Sequence, residues 1–87
     1  METPNPILYI KQGCPYCDEA VEFLDDHGID YTLKEVLGDP QAFEEMRRVS
    51  GQSKAPTLDF NGKILADFGV DELPRFLRDQ NVEFEDS

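Results

Sequence analysis

Ile7-Leu8-Tyr9-Ile10, then Lys11-Gln12-Gly13, then Cys14-Pro15-Tyr16-Cys17: this stretch decides the fold. Its first four residues read as a short buried strand. Just downstream, Ala20, Val21, Phe23 and Leu24 recur at helical spacing. Two thiols three residues apart can close a small disulfide when the backbone between them turns into a helix. A C-x-x-C between a strand and a helix in a small αβ chain points to thiol–disulfide exchange.

Working outward, Pro15 suits the first turn of a helix, because its φ is fixed and its missing N–H is not needed there. That helix is expected to stop at His27-Gly28, with Gly28 in the left-handed C-cap conformation. Asp30 to Val36 reads as a second strand, with Tyr31, Leu33 and Val36 turned inward. Asp39 is the expected N-cap of a second helix, with Pro40 at its first position. Phe43, Met46 and Val49 share a face of that helix, which ends at Ser50-Gly51. Thr57 to Phe60 and Lys63 to Ala66 form a hairpin around Asn61-Gly62, the pair that a type I′ turn prefers. Asp67 to Gly69 then turns into a third helix over about 70–80, using Val70, Leu73, Phe76 and Leu77, with Pro74 in its first turn. The order β-α-β-α-β-β-α predicts a parallel pair joined by a right-handed crossover, followed by an antiparallel hairpin. The expected architecture is α/β and thioredoxin-like: one mixed four-stranded sheet with helices on both faces.

The 87 residues leave room for one small domain, spanning 1–87, with loose ends at 1–5 and 82–87. No repeat is visible. The apolar fraction of 39% falls in periodic segments, so a compact core is expected. No apolar run is long enough to span a membrane. No basic segment leads into an apolar one at the N-terminus, so no export signal is expected. Two cysteines in one motif do not make a stapled secreted scaffold, and a reducing cytoplasm suits them. The formal net charge is −11, from 19 acids against 8 bases. Such a surface repels nucleic acid and anionic membrane alike. The acids Glu19, Glu22, Asp25, Asp26, Glu44 and Glu45, with Glu83, Glu85 and Asp86 in the tail, read as solvated faces.

Cys14 precedes the helix, so its sulfur meets unpaired N–H groups and the positive end of the helix dipole. Lys11 adds a cation three residues earlier. Both favour the thiolate, the attacking species. Cys17 lies one helical turn further in, where a thiol is more buried and more protonated. Cys14 therefore attacks and Cys17 resolves. Pro15 stiffens the turn, and Tyr16 stands near the sulfur as an apolar wall with a hydroxyl. A structural zinc site would ask for four N/S ligands, and beyond the two cysteines only His27 is on offer. A purely structural disulfide around so short a loop contributes little closure entropy.

Lys11 ahead of Cys14-Pro15-Tyr16-Cys17, then Ser50-Gly51, Ala55-Pro56, Asn61-Gly62-Lys63-Ile64 and Phe68-Gly69-Val70-Asp71-Glu72-Leu73 resemble the dithiol glutaredoxins over nearly the whole chain. Thioredoxins usually carry Cys-Gly-Pro-Cys after a tryptophan, and this chain has none. The resemblance implies a glutathione site. Lys11 and Gln52 would meet the glycyl carboxylate. The Ala55 backbone would pair with the cysteinyl part, ahead of a cis Pro56, with Tyr16 alongside. Asp71 and Glu72 would hold the γ-glutamyl end, where a helix N-terminus favours a carboxylate. Three positions depart from the family: Lys54-Ala55-Pro56 replaces Thr-Val-Pro, Phe68-Gly69 replaces Gly-Gly, and Glu72 replaces Asp.

The function expected is that of a cytoplasmic, monomeric, glutathione-dependent thiol–disulfide oxidoreductase. Its partners would be glutathione and disulfide-containing or glutathionylated proteins, with no nucleic acid and no membrane. Glutathione serves as co-substrate, and no metal or organic cofactor is required. Three rivals stay open: an electron donor reduced by thioredoxin reductase, an iron–sulfur carrier ligated by Cys14 and glutathione, and a non-catalytic binding domain on the same fold.

Overall fold

The computed structural model describes residues 6–82. The expected ends 1–5 and 83–87 lie outside the described residues. Val82, expected in the loose tail, instead donates its N–H to Leu77 O at 3.0 Å and packs on the core.

Strand β1 (Ile7–Ile10) leads through the Cys-Pro-Tyr-Cys turn into α1 (Pro15–Asp26). Strand β2 (Thr32–Glu35), α2 (Pro40–Ser50), β3 (Thr57–Phe60) and β4 (Lys63–Ala66) follow. A 3₁₀ turn (Val70–Glu72) then runs into α3 (Leu73–Asp79). The sheet order is β2-β1-β3-β4. Strand β1 is parallel to β2 and antiparallel to β3, and β3–β4 is the hairpin. This is the thioredoxin-like arrangement expected from the element order.

Successive strand residues face opposite sides of the sheet, so β1 seeds two cores. Leu8 joins Ala20 and Leu24 of α1, Leu58 and Phe60 of β3, Phe68, and Leu73 and Leu77 of α3. Tyr9 joins Val36 and Ala42 and Met46 of α2 on the other side. The helix punctuation follows the sequence. Asp39 accepts from the N–H groups of Gln41 and Ala42 at 3.1 and 3.3 Å, and Gly28 and Gly51 take φ of 66° and 71°. Asn61 and Gly62 have φ of 51° and 92°, both positive as a type I′ turn requires.

Two expectations are corrected. Leu33 is 48% exposed rather than inward. It sits opposite Leu8 on β2, an edge strand, so among the described residues it has a strand neighbour on one side. Val36 is buried, but on the opposite face from Leu8, as its odd spacing from Leu33 dictates. The third helix does not run unbroken from Val70. Pro74 has no N–H to give Val70 O, which accepts instead from Leu73 N, and the first turn tightens to 3₁₀.

Candidate active site

Lys11 to Cys14 form a turn closed by Cys14 N–H to Lys11 O at 3.2 Å, with Gly13 at φ 84°. The turn delivers Cys14 as the N-cap of α1. Its Sγ accepts the Cys17 N–H at 3.4 Å, the place a Ser or Asp oxygen usually takes. The same Sγ lies 4.0 Å from Ala55 O, to which its S–H donates. Cys14 is partly exposed and Cys17 is fully buried, and both are free thiols. The Cys17 thiol is pushed up to about 12, first by burial and then by its hydrogen bond with Cys14. The asymmetry of burial expected from helix position is present: the Cys14 sulfur is partly exposed and accepts the Cys17 N–H, while Cys17 is buried and held neutral.

Ala55 lies beside the Cys14 sulfur, and its peptide bond to Pro56 is cis. Gln52 is turned into its own loop. Its Nε2 donates to Ser50 Oγ and Thr57 Oγ1 at 2.9 and 3.0 Å, and its Oε1 accepts from Lys54 N–H at 2.6 Å. It shapes the segment that carries Ala55 rather than presenting a free amide. The Lys11 ammonium lies 5.8 Å from the centroid of the Phe43 ring on α2, a cation–π distance. Tyr16 is 61% exposed beside the motif.

Asp71 and Glu72 are exposed on the 3₁₀ turn. The Glu72 carboxylate accepts the Gly69 N–H at 2.8 Å, so it closes its own turn. Both residues, with Leu65, Arg75, Phe76 and Asp79, line an open cleft of about 380 Å³. Phe68 does not crowd that turn: it is 2% exposed in the α1–α3 core. Its backbone φ is not positive, and Gly69 has φ −96°, so neither position needs glycine's freedom; Asp67, at φ 52°, carries the left-handed residue. Lys54 pairs with Asp67 at 3.8 Å across the strand that follows Pro56.

Sequence reasoning missed Glu35. Its carboxylate accepts from Leu37, Gly38 and Gln12 N–H groups at 2.9, 2.7 and 3.0 Å. The Leu37 and Gly38 bonds, with Gln12 adding, hold its carboxyl below the ordinary range. The local half was signalled by an acid three residues before Gly38. The link to Gln12 was not, since it joins residues 23 apart. Among the described residues, no three His, Cys, Asp or Glu side chains converge on a metal-sized site.

Comparison with known proteins agrees with this geometry. Over 70 residues the chain is 31% identical to an uncharacterized glutaredoxin-like 8.6 kDa protein in a rubredoxin operon of Clostridium pasteurianum, covering 80% of this chain and 93% of that one. It is 29% identical over 69 residues to glutaredoxin 3 of Escherichia coli K12, covering 79% of this chain and 81% of that one. The crystal structure of a glutaredoxin from Archaeoglobus fulgidus has the same fold, at a TM-score of 0.75 and 20% identity over 87% of this chain and 88% of that one. The glutaredoxin family profile matches residues 7–65, from β1 and the Cys-Pro-Tyr-Cys turn into β4, and the chain belongs to that family.

Proposed function

We propose that this chain is a glutathione-dependent thiol–disulfide oxidoreductase acting through Cys14 and Cys17. The observation that carries the reading is the placement of Cys14 Sγ. It caps α1 on the Cys17 N–H, lies at the Ala55 carbonyl, and has a buried thiol one turn behind it. The Cys14 thiolate attacks a substrate disulfide, forms a mixed disulfide and expels the first substrate thiolate, which takes a proton from solvent. For a protein substrate, Cys17 gives up its proton and attacks the Cys14 sulfur. That releases the second substrate thiol and leaves the Cys14–Cys17 disulfide. Two glutathione molecules then return both thiols and leave as glutathione disulfide, so two electrons pass from glutathione to substrate. For a glutathione mixed disulfide, Cys14 alone takes the glutathionyl group and a second glutathione removes it.

The chemistry is thiol exchange throughout and asks for no metal or organic cofactor. Substrates would be disulfide-containing or glutathionylated proteins, a cytoplasmic monomer would suffice, and the net charge of −11 disfavours nucleic acid. No described helix is long and apolar enough to cross a membrane. The test is a coupled assay with glutathione, glutathione reductase and NADPH on a small glutathione mixed disulfide. Turnover that depends on glutathione supports the reading, and its absence refutes it.

One observation favours a second reading, an electron donor recharged by a flavoprotein reductase. Gln52 and Glu72, two of the side chains assigned to glutathione, already serve internal bonds. The relative from Clostridium pasteurianum, named for a rubredoxin operon, fits an electron-transfer setting. Reduction by NADPH and thioredoxin reductase without glutathione would favour this second reading.

A further inference from the structure

Three N–H groups converge on the Glu35 carboxylate, and one comes from the turn that presents Cys14. The Leu37 and Gly38 bonds close a local loop, as an acid commonly does two and three residues ahead of a turn. The Gln12 bond spans two loops. Gln12 is the second residue of the Lys11–Cys14 turn, and Gly13 at φ 84° is its third, as a type II turn requires. In such a turn the second N–H points away from the closing bond and needs a partner elsewhere. Strands β1 and β2 are parallel, so their exit loops leave at the same end of the sheet, where open α/β sheets build their sites. Glu35, the last residue of β2, therefore stands where it can fasten the turn that follows β1. Lys34, Asp39 and Glu45 line the same cleft as Glu35. Lys34 is paired with Glu45 at 2.6 Å and Asp39 caps α2, while the Glu35 carboxylate is held by backbone donors.

We propose that Glu35 is a positioning residue for Cys14: through the Gln12 N–H its carboxylate fixes the Lys11–Cys14 turn and so holds the sulfur at the start of α1. The proposal rests on Cys14 being the attacking thiol. Hydrogen bonds to a charged acceptor are roughly twice as strong as neutral ones. Without this one, the turn is closed by the single Cys14 N–H to Lys11 O bond. A looser turn leaves the sulfur at the helix N-terminus for less of the time.

Two single variants and their combination test it. Gln12→Pro removes the N–H that Glu35 accepts together with the exposed Gln12 side chain, and proline suits the second position of this turn. Glu35→Ala removes the carboxylate and the local loop bonds as well. Iodoacetamide modification of Cys14 is followed by mass spectrometry near neutral pH, below the melting temperature of each variant. Glu35→Ala should slow modification by about tenfold, because a looser turn lowers the share of thiolate, the species that iodoacetamide alkylates, and Gln12→Pro should slow it less, because proline fixes φ at the same place. The double variant should be no slower than Glu35→Ala, because both changes break the same bond. Gln12→Pro should keep the parent melting temperature. Faster modification in Glu35→Ala with no change in Gln12→Pro would mean that the charge acts through space, and would overturn the proposal. Additive losses would overturn it too. Amide exchange in the unaltered protein gives a readout that needs no variant. A Gln12 N–H protected like the β1 amides supports the anchor, and exchange at the free-peptide rate refutes it. Neither measurement involves glutathione, so failure of the glutathione assay would leave this proposal standing, and its own failure would leave the assay result intact.

Discussion

Phe68 stands where the family resemblance implied a glycine, yet its ring is 2% exposed among Leu8, Leu24, Leu58, Leu73 and Leu77. Truncating so buried a ring typically loses about 3–5 kcal/mol. A domain of this size holds about 4–13 kcal/mol in total, at roughly 0.05–0.15 kcal/mol per residue. Phe68→Ala should therefore sacrifice a large share of the fold's stability. At about 4–8 °C per kcal/mol, its melting midpoint should drop by roughly 12–40 °C. Phe68→Leu keeps most of the apolar volume and should lose roughly 1 kcal/mol, or about 5 °C. Thermal unfolding by circular dichroism checks both. Exchange rates with glutathione, measured well below every midpoint, should match the parent protein, because the ring faces the core and not the cleft beside Asp71. The reasoning fails if Phe68→Ala melts within a few degrees of the parent. It also fails if Phe68→Leu lowers the apparent KM for glutathione while leaving stability untouched, since the ring would then be limiting the site.

Cys14→Ser should abolish exchange of every kind, whereas Cys17→Ser should keep turnover of glutathione mixed disulfides and lose reduction of protein disulfides; equal loss of both activities in Cys17→Ser would end the division of roles. Raising the pH should unfold the protein early. Burial lifts the Cys17 thiol from 9.0 to about 12 and the Tyr31 phenol from 10.0 to about 12, and lifts Tyr9 in the same direction. The unfolded chain ionises these groups first, so the stability they lend is whole below pH 9 and is lost as pH climbs through 12. Melting temperatures that stay level up to about pH 11 would contradict this linkage. Asp39→Ala removes the cap on two N–H groups of α2 and should cost about 1 kcal/mol, or about 5 °C in midpoint; an unchanged midpoint would show the cap to be idle.

Local rules made the frame legible. Pro15 and Pro40 at helix starts, Gly28 and Gly51 at helix ends and Asn61-Gly62 in the hairpin each act through their own backbone preferences, and the structure follows them. The Cys14–Cys17 asymmetry was legible for the same reason, since it follows from position along one helix. What escaped depends on the neighbours that tertiary packing supplies. Leu33 has the apolar character of a core residue, but its exposure follows from β2 being an edge strand. Gln52 and Glu72 have the chemistry of ligand contacts, yet nearby N–H and hydroxyl groups claim them first. Glu35 looks like one more solvated acid until β1 and β2 lie side by side and bring Gln12 to it.

The order of the sheet also bears on how the protein tolerates crowding. Its two rims are β2 and β4, each four residues long and each carrying a lysine, Lys34 and Lys63. At about 3.3 Å per residue, each rim offers roughly 13 Å of backbone to a stranger. Native sheets blunt their borders with short strands and lysines of this kind, because an unguarded row of N–H and C=O groups invites another chain to add on. The more buried strands β1 and β3 occupy the interior of the sheet, out of reach of such templating. Fibrous self-association is thereby discouraged by geometry as well as by mutual repulsion of an acidic surface.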